Sequence, residues 1–102
     1  MSVTHAAVVD GVFSKSWDVT SSADGDVTDA ISHGFVKQNN VKVAPALVWL
    51  VPLQAAGVTH AWRLGVVDSD TITINATSAT GGGLAGTPQL QVIAMIPQSI
   101  ID

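Results

Sequence analysis

The stretch Val66-Val67-Asp68-Ser69-Asp70-Thr71-Ile72-Thr73-Ile74-Asn75 decides the fold. From Thr71 to Asn75 apolar and polar residues alternate strictly, so an extended chain would place Ile72 and Ile74 on one side and three polar side chains on the other. Asp68-Ser69-Asp70 is short enough for a hairpin turn and is made of turn-forming residues. Before it, Val58 to Val67 sets Val58, His60, Trp62, Leu64 and Val66 on one face and Thr59, Ala61, Arg63, Gly65 and Val67 on the other. The Trp-bearing face is predicted to be the buried one. An antiparallel hairpin is thus the seed of the structure.

The same period runs outward from this seed. Gln89 to Ile96 turns Leu90, Val92, Ala94 and Ile96 inward until Pro97 stops it. Ala46 to Leu53 is apolar on both parities, with Leu47, Trp49 and Val51 on one side and Val48, Leu50 and Pro52 on the other. That pattern predicts a central strand covered on both faces, with Trp49 in the core. Val27 to Phe35 puts Val27, Asp29, Ile31 and His33 on one parity. Val3 to Phe13 is apolar and rich in β-branched residues, with Asp10-Gly11 as a turn or bulge that splits it, and Trp17 to Thr20 continues extended. Between these segments, residues 21–26 and 37–42 predict turns, and Ala76 to Pro88, with Gly81-Gly82-Gly83 and Gly86, is too Gly-rich for a regular element. Short strands without a helical period predict one all-β domain over residues 1–102, an antiparallel β-sandwich or small barrel of about six to eight strands.

Composition narrows the function. Only 12% of the 102 residues are charged, against roughly 25% in ordinary soluble domains, while 47% are hydrophobic. All eight acidic residues are Asp, and the basic side is limited to Lys15, Lys37, Lys42 and Arg63, for a net charge of −4. Too few cations are present to neutralise a run of phosphates, so no nucleic-acid partner is expected. The absence of cysteine removes disulfides, thiolate metal sites and a cysteine nucleophile together. Met1 to His5 carries neither a basic nor a continuous apolar run of the kind a secretory signal needs, so synthesis in a cytoplasm is expected. The run Ala44 to Leu53 is about half of a membrane span, and no membrane partner is expected. Apolar excess without a span points to burial against other protein.

Catalytic chemistry finds little to work with. Asp24-Gly25-Asp26-Val27-Thr28-Asp29 has the alternate carboxylates of a calcium loop, but lacks the later bidentate acid and flanking helices, and a solvated turn accounts for it. His5, His33 and His60 are scattered, no G-x-S-x-G elbow is present, and the triple Gly has no following Lys. The chain is therefore expected to be no enzyme and to need no cofactor or metal. Of the three tryptophans, Trp62 is assigned to the core with Trp49, whereas Trp17, among Ser, Lys and Asp, is the candidate for a partly exposed anchor, with a core place as the alternative.

Four segments in order carry a resemblance: Ala30-Ile31-Ser32-His33-Gly34-Phe35, Pro45-Ala46-Leu47-Val48-Trp49-Leu50-Val51-Pro52-Leu53, Trp62 with Val66 to Ile74, and Val92-Ile93-Ala94-Met95-Ile96-Pro97-Gln98-Ser99-Ile100. Together they resemble small β-rich structural proteins of tailed bacteriophages. Gln98 stands where that group often has His, and Val36 to Val43 is a longer insertion. The layout is also similar to H-type lectin modules. The resemblance implies a virion component made in the host cytoplasm. The leading expectation is a capsid decoration or cement protein that binds the major capsid protein or other virion proteins and forms a homo-oligomer, a trimer or dimer. Alternatives are a carbohydrate-binding tail or receptor-binding module, with Trp17 or Trp62 stacking on a sugar, and a tail or connector subunit. The uncharged N-terminal strand and C-terminal third nominate Val3, Val8, Val9, Phe13, Trp17, Leu84, Ile96, Ile100 and Ile101 as interface residues.

Overall fold

A computed structural model describes residues 3–21, 26–53, 61–77 and 88–101, the last without the side chain of Ile101. The described residues form seven strands and a turn of helix: β1 Val3–Asp10, β2 Ser14–Ser21, β3 Val27–Ser32, β4 Leu47–Pro52, β5 Trp62–Val67, β6 Thr71–Ala76, β7 Leu90–Met95 and α1 Gln98–Ile101. The strands make two antiparallel sheets, one ordered β1-β2-β7-β4 and the other β3-β6-β5. All-β sandwich architecture is what the alternation predicted. The segment Val3 to Phe13 resolves into a strand and a tight turn at its end, where the Gly11 N–H donates to the Ser14 carbonyl at 2.9 Å. The short helix after Pro97 was not anticipated.

The core lies between the sheets. The four-stranded sheet contributes Trp17, Val19, Leu90, Val92 and Ala94, and the three-stranded sheet Ile31, Ile72 and Ile74, with Phe35 and Ile96 closing one end. The inward parities of Thr71 to Asn75 and Gln89 to Ile96 are as the sequence implied, and β3 turns the parity of Val27, Ile31 and His33 inward. Because an extended chain alternates sides, these few residues suffice to orient both sheets.

Two expectations fail, each for a topological reason. β4 is not central: it is the edge strand beside β7, and only its Val48 and Leu50 face pack on the core. Trp49 consequently stands 51% exposed on the other face. In β5 the buried Trp-bearing face does not persist, since Leu64 is 40% and Val66 63% exposed. Leu64 still pairs with the core residue Ile74 and is exposed at the sheet edge; past it a β-bulge, with Val67 paired to Ile72, sets two residues opposite one and inverts the parity. Val67 then turns to the core in place of Val66. Gly65 occupies the bulge, where an added Cβ would lie 3.0 Å from the Thr73 carbonyl oxygen.

Side-chain hydrogen bonds fix the connections. Asp68 caps the β5–β6 turn, its Oδ1 accepting from the N–H groups of Asp70 at 2.8 Å and Thr71 at 2.7 Å. Phe35 donates its N–H to His33 Nδ1 at 3.0 Å, so His33 holds its proton on Nε2 and donates it to the Asp68 carbonyl at 2.8 Å. His33 is thus a buried strut that ties the end of β3 to the end of β5. The polar segment 37–42 folds as a small hairpin, with the Lys37 N–H donating to Val41 O and Asn40 at a positive φ of 64°. Asparagine tolerates that left-handed conformation better than most residues.

Candidate functional site

The outer face of the four-stranded sheet is the feature that folding alone does not explain. Register places residues in rows across it. Trp49 lies opposite Ile93, Ile93 opposite Ser16, and Ser16 opposite Val9. In the next row Leu47 lies opposite Met95 and Met95 opposite Ser14; on the other side Val51 faces Gln91, Gln91 faces Asp18 and Asp18 faces Ala6. Trp49 is 51%, Val9 47%, Leu47 41%, Met95 40% and Val51 37% exposed. Asp18 is the one charged residue that these three rows contain.

The relief of this face follows from side-chain size. β2 presents Ser14 and Ser16 between the larger Val9 on one side and Ile93 and Trp49 on the other. The result is a trough of about 260 Å³ lined by Val9, Ser14, Lys15, Ser16, Gln91 and Ile93. Exposed apolar side chains on one sheet face, Trp49 and Leu47 on the edge strand with Met95 beside them and Val9 across the two serines, make this face the candidate protein-binding surface.

A second cleft, of about 310 Å³, opens where the β1–β2 turn meets the segment after β3, lined by Asp10, Gly11, Val12, Lys15, Gly34, Phe35 and Val36. Its chemistry is internally satisfied. Lys15 Nζ pairs with Asp10 Oδ1 at 2.8 Å and sits 5.3 Å from the Phe35 ring centroid. Gly34, at a φ of +73°, keeps the chain close to that ammonium. The lysine here closes the end of the core with its own counter-ion and an aromatic face.

Among the described residues no three His, Asp or Glu side chains gather as a metal site. The His5 Nδ1–Asp29 Oδ2 pair, at 2.8 Å, joins β1 to β3 across the sandwich. Asp26 is exposed and Asp29 is engaged with His5, whereas Asp24 and His60 lie outside the described residues.

The sequence-nominated interface residues divide. Val8, Val9 and Phe13 are exposed, at 55%, 47% and 47%. Val3 and Ile100 are partly buried against the core. Trp17 takes the core place that was its alternative and Ile96 the inward place its parity implied, 5% and 2% exposed, because Trp17 pairs with inward-facing Val92 and Ile96 continues the inward parity of β7. Leu84 and the side chain of Ile101 lie outside the described residues. Sequence reasoning missed Leu47, Trp49, Val51, Ile93 and Met95. The available signal was the pair Pro45 and Pro52: prolines bracketing a strand mark an edge position, and the residues of an edge strand need not be covered twice. No helix among the described residues is long and apolar enough to cross a membrane. Comparison of the chain with protein-family models, with curated proteins and with solved structures gave no match.

Proposed function

We propose that this protein is a non-enzymatic structural component of a bacteriophage virion, a capsid decoration protein that docks on its lattice through the outer face of the β1-β2-β7-β4 sheet. The observation that carries the docking surface is the row Trp49, Ile93, Ser16 and Val9, whose Trp49 and Val9 stand 51% and 47% exposed among the described residues of a chain with very few charges. The virion assignment rests on the resemblance of the four sequence segments. Repetition on a lattice multiplies modest contacts, so one small face per copy can hold firmly.

The test is co-sedimentation of the purified protein with major-capsid shells. Binding that Trp49→Asp abolishes, while the variant keeps its fold by circular dichroism, is the expected result; shells that leave the protein in the supernatant overturn the proposal. A carbohydrate-binding role has one feature in its favour, since the exposed Trp49 ring on a flat sheet is also what a sugar ring stacks on. Trp17 is too buried for that part. Glycan-array binding lost in Trp49→Ala, together with no capsid binding, would establish the sugar-binding role instead.

A further inference from the structure

Among the described residues the two sheets have four edge strands, β1 and β4 in one and β3 and β5 in the other. Edges expose unpaired backbone groups and are ordinarily guarded by proline, charge or a bulge. β4 ends in Pro52 and is preceded by Pro45; β3 contains Asp29; β5 carries Arg63 and the bulge at Gly65 and Val66. β1 differs. From Val3 to Val9 it has no proline, Asp, Glu, Lys or Arg, and every residue from Thr4 onward is exposed. Its one titratable side chain before Asp10, His5, is turned inward to Asp29. Its bulge falls at Val8, after five regular residues, Val3 to Ala7. Among the described residues its second side has no partner strand.

We propose that β1 is a self-association edge, where Val3 to Ala7 of two copies pair antiparallel about a two-fold axis and join two sandwiches through one eight-stranded sheet. Three observations choose a second copy over another strand. Pairing centred on His5 sets Thr4 against the second copy's Ala6 on the outer face and Val3 against its Ala7 on the inner, so the only bulky side chain that meets its copy is His5, which is drawn inward onto Asp29. A segment without Asp, Glu, Lys or Arg can face itself even though the chain as a whole carries −4 and repels its copies. The apolar row Trp49–Ile93–Ser16–Val9 also runs out to β1, so pairing places the open faces of two copies on one side of one continuous sheet. The pairing is isologous and closes at two.

Sedimentation velocity of the full chain from about 1 µM to about 1 mM is the test. A concentration-dependent monomer–dimer equilibrium is expected, with Thr4→Lys/Ala6→Lys weakening it at least tenfold because the introduced lysines oppose one another. Trp49→Ser, which leaves the edge intact, should dimerise as the unmodified chain does. Amide exchange of the unmodified chain provides a readout independent of any variant's folding: protection should rise with concentration at Val3 to Ala7. A monomer throughout the range, a dimer abolished by Trp49→Ser but not by the lysines, open-ended oligomers, or protection confined to other strands would each overturn the proposal. Capsid binding through the outer face is measured separately and can fail or succeed independently.

Discussion

Trp17 and Trp49 lie on opposite faces of one sheet, across two consecutive residues of the same strand: Trp17 is paired with Val92 and Trp49 with Ile93. Because Val92 and Ile93 point to opposite sides, one tryptophan is 5% and the other 51% exposed. A step of one residue along β7 separates the core from the proposed docking surface.

This relationship sets the first prediction. Trp17→Ala should cost about 3–5 kcal/mol, the range for deleting a buried aromatic side chain. Trp49→Ser should change stability by less than about 1 kcal/mol, as exposed sites do. Urea unfolding at constant m-value measures both. Iodide quenching gives an independent check, since the quencher-accessible part of the emission should fall sharply in Trp49→Ser and be restored to shielding when the docking partner is bound.

The exchange of roles between the two tryptophans also marks what a sequence can carry. Alternation is local, so the inward faces of β6 and β7 were legible from Ile72, Ile74, Leu90, Val92 and Ala94 alone. Which strand lies at an edge is a property of the whole sheet. Leu47 to Val51 is apolar on both parities whether or not a second layer covers it, and an uncovered apolar face looks in sequence like a doubly buried one. Trp17 misled in the opposite direction: its polar neighbours Ser16 and Asp18 belong to the outer face and describe nothing of its own side. The β5 bulge was likewise invisible, because inserting one residue inverts parity without altering composition.

Gly65 allows that bulge to sit close to β6. A Cβ at this position would come within 2.9 Å of Asn75 Nδ2, which can swing away, and 3.0 Å of the Thr73 carbonyl oxygen, which is held in the ladder. Gly65→Ala is therefore expected to destabilise by about 1–3 kcal/mol through backbone displacement. Thermal unfolding would show it, and a melting temperature equal to or above that of the unmodified chain would mean that the bulge has room to open.

Gln89 is fully buried, and its amide is only half satisfied. Nε2 donates to the Ser21 carbonyl at 2.8 Å, while Oε1 has no partner among the described residues. Gln89→Met removes one hydrogen bond and one orphaned acceptor together, so a net change within about 1 kcal/mol is expected. Gln89→Glu should be far worse at neutral pH, because it buries a carboxylate facing a carbonyl oxygen. Acidification should recover part of that loss, since the protonated acid can donate to Ser21 where the carboxylate cannot. Urea midpoints at neutral and acid pH distinguish the two variants, and a Gln89→Glu protein insensitive to pH would exclude this arrangement.

The acid stability of the β5–β6 turn depends on Asp68. Its carboxyl is held below the ordinary value of 3.8, first by the Thr71 N–H, then by the Asp70 N–H, with the Thr71 hydroxyl and nearby His33 acting in the same direction and partial desolvation opposing them. A depressed folded value means that the stabilisation is present above the ordinary carboxylate range and is lost as pH falls below 3.8 toward the folded value. The effect is small, because the group is open to solvent. Asp68→Asn keeps an acceptor for both N–H groups but cannot titrate, so its melting temperature should fall less steeply between about pH 4 and pH 2 than that of the unmodified chain. Asp68→Ala removes the acceptor as well and should lower the melting temperature at every pH, including neutral. Equal acid slopes for the unmodified chain and Asp68→Asn would show that Asp68 does not govern acid unfolding.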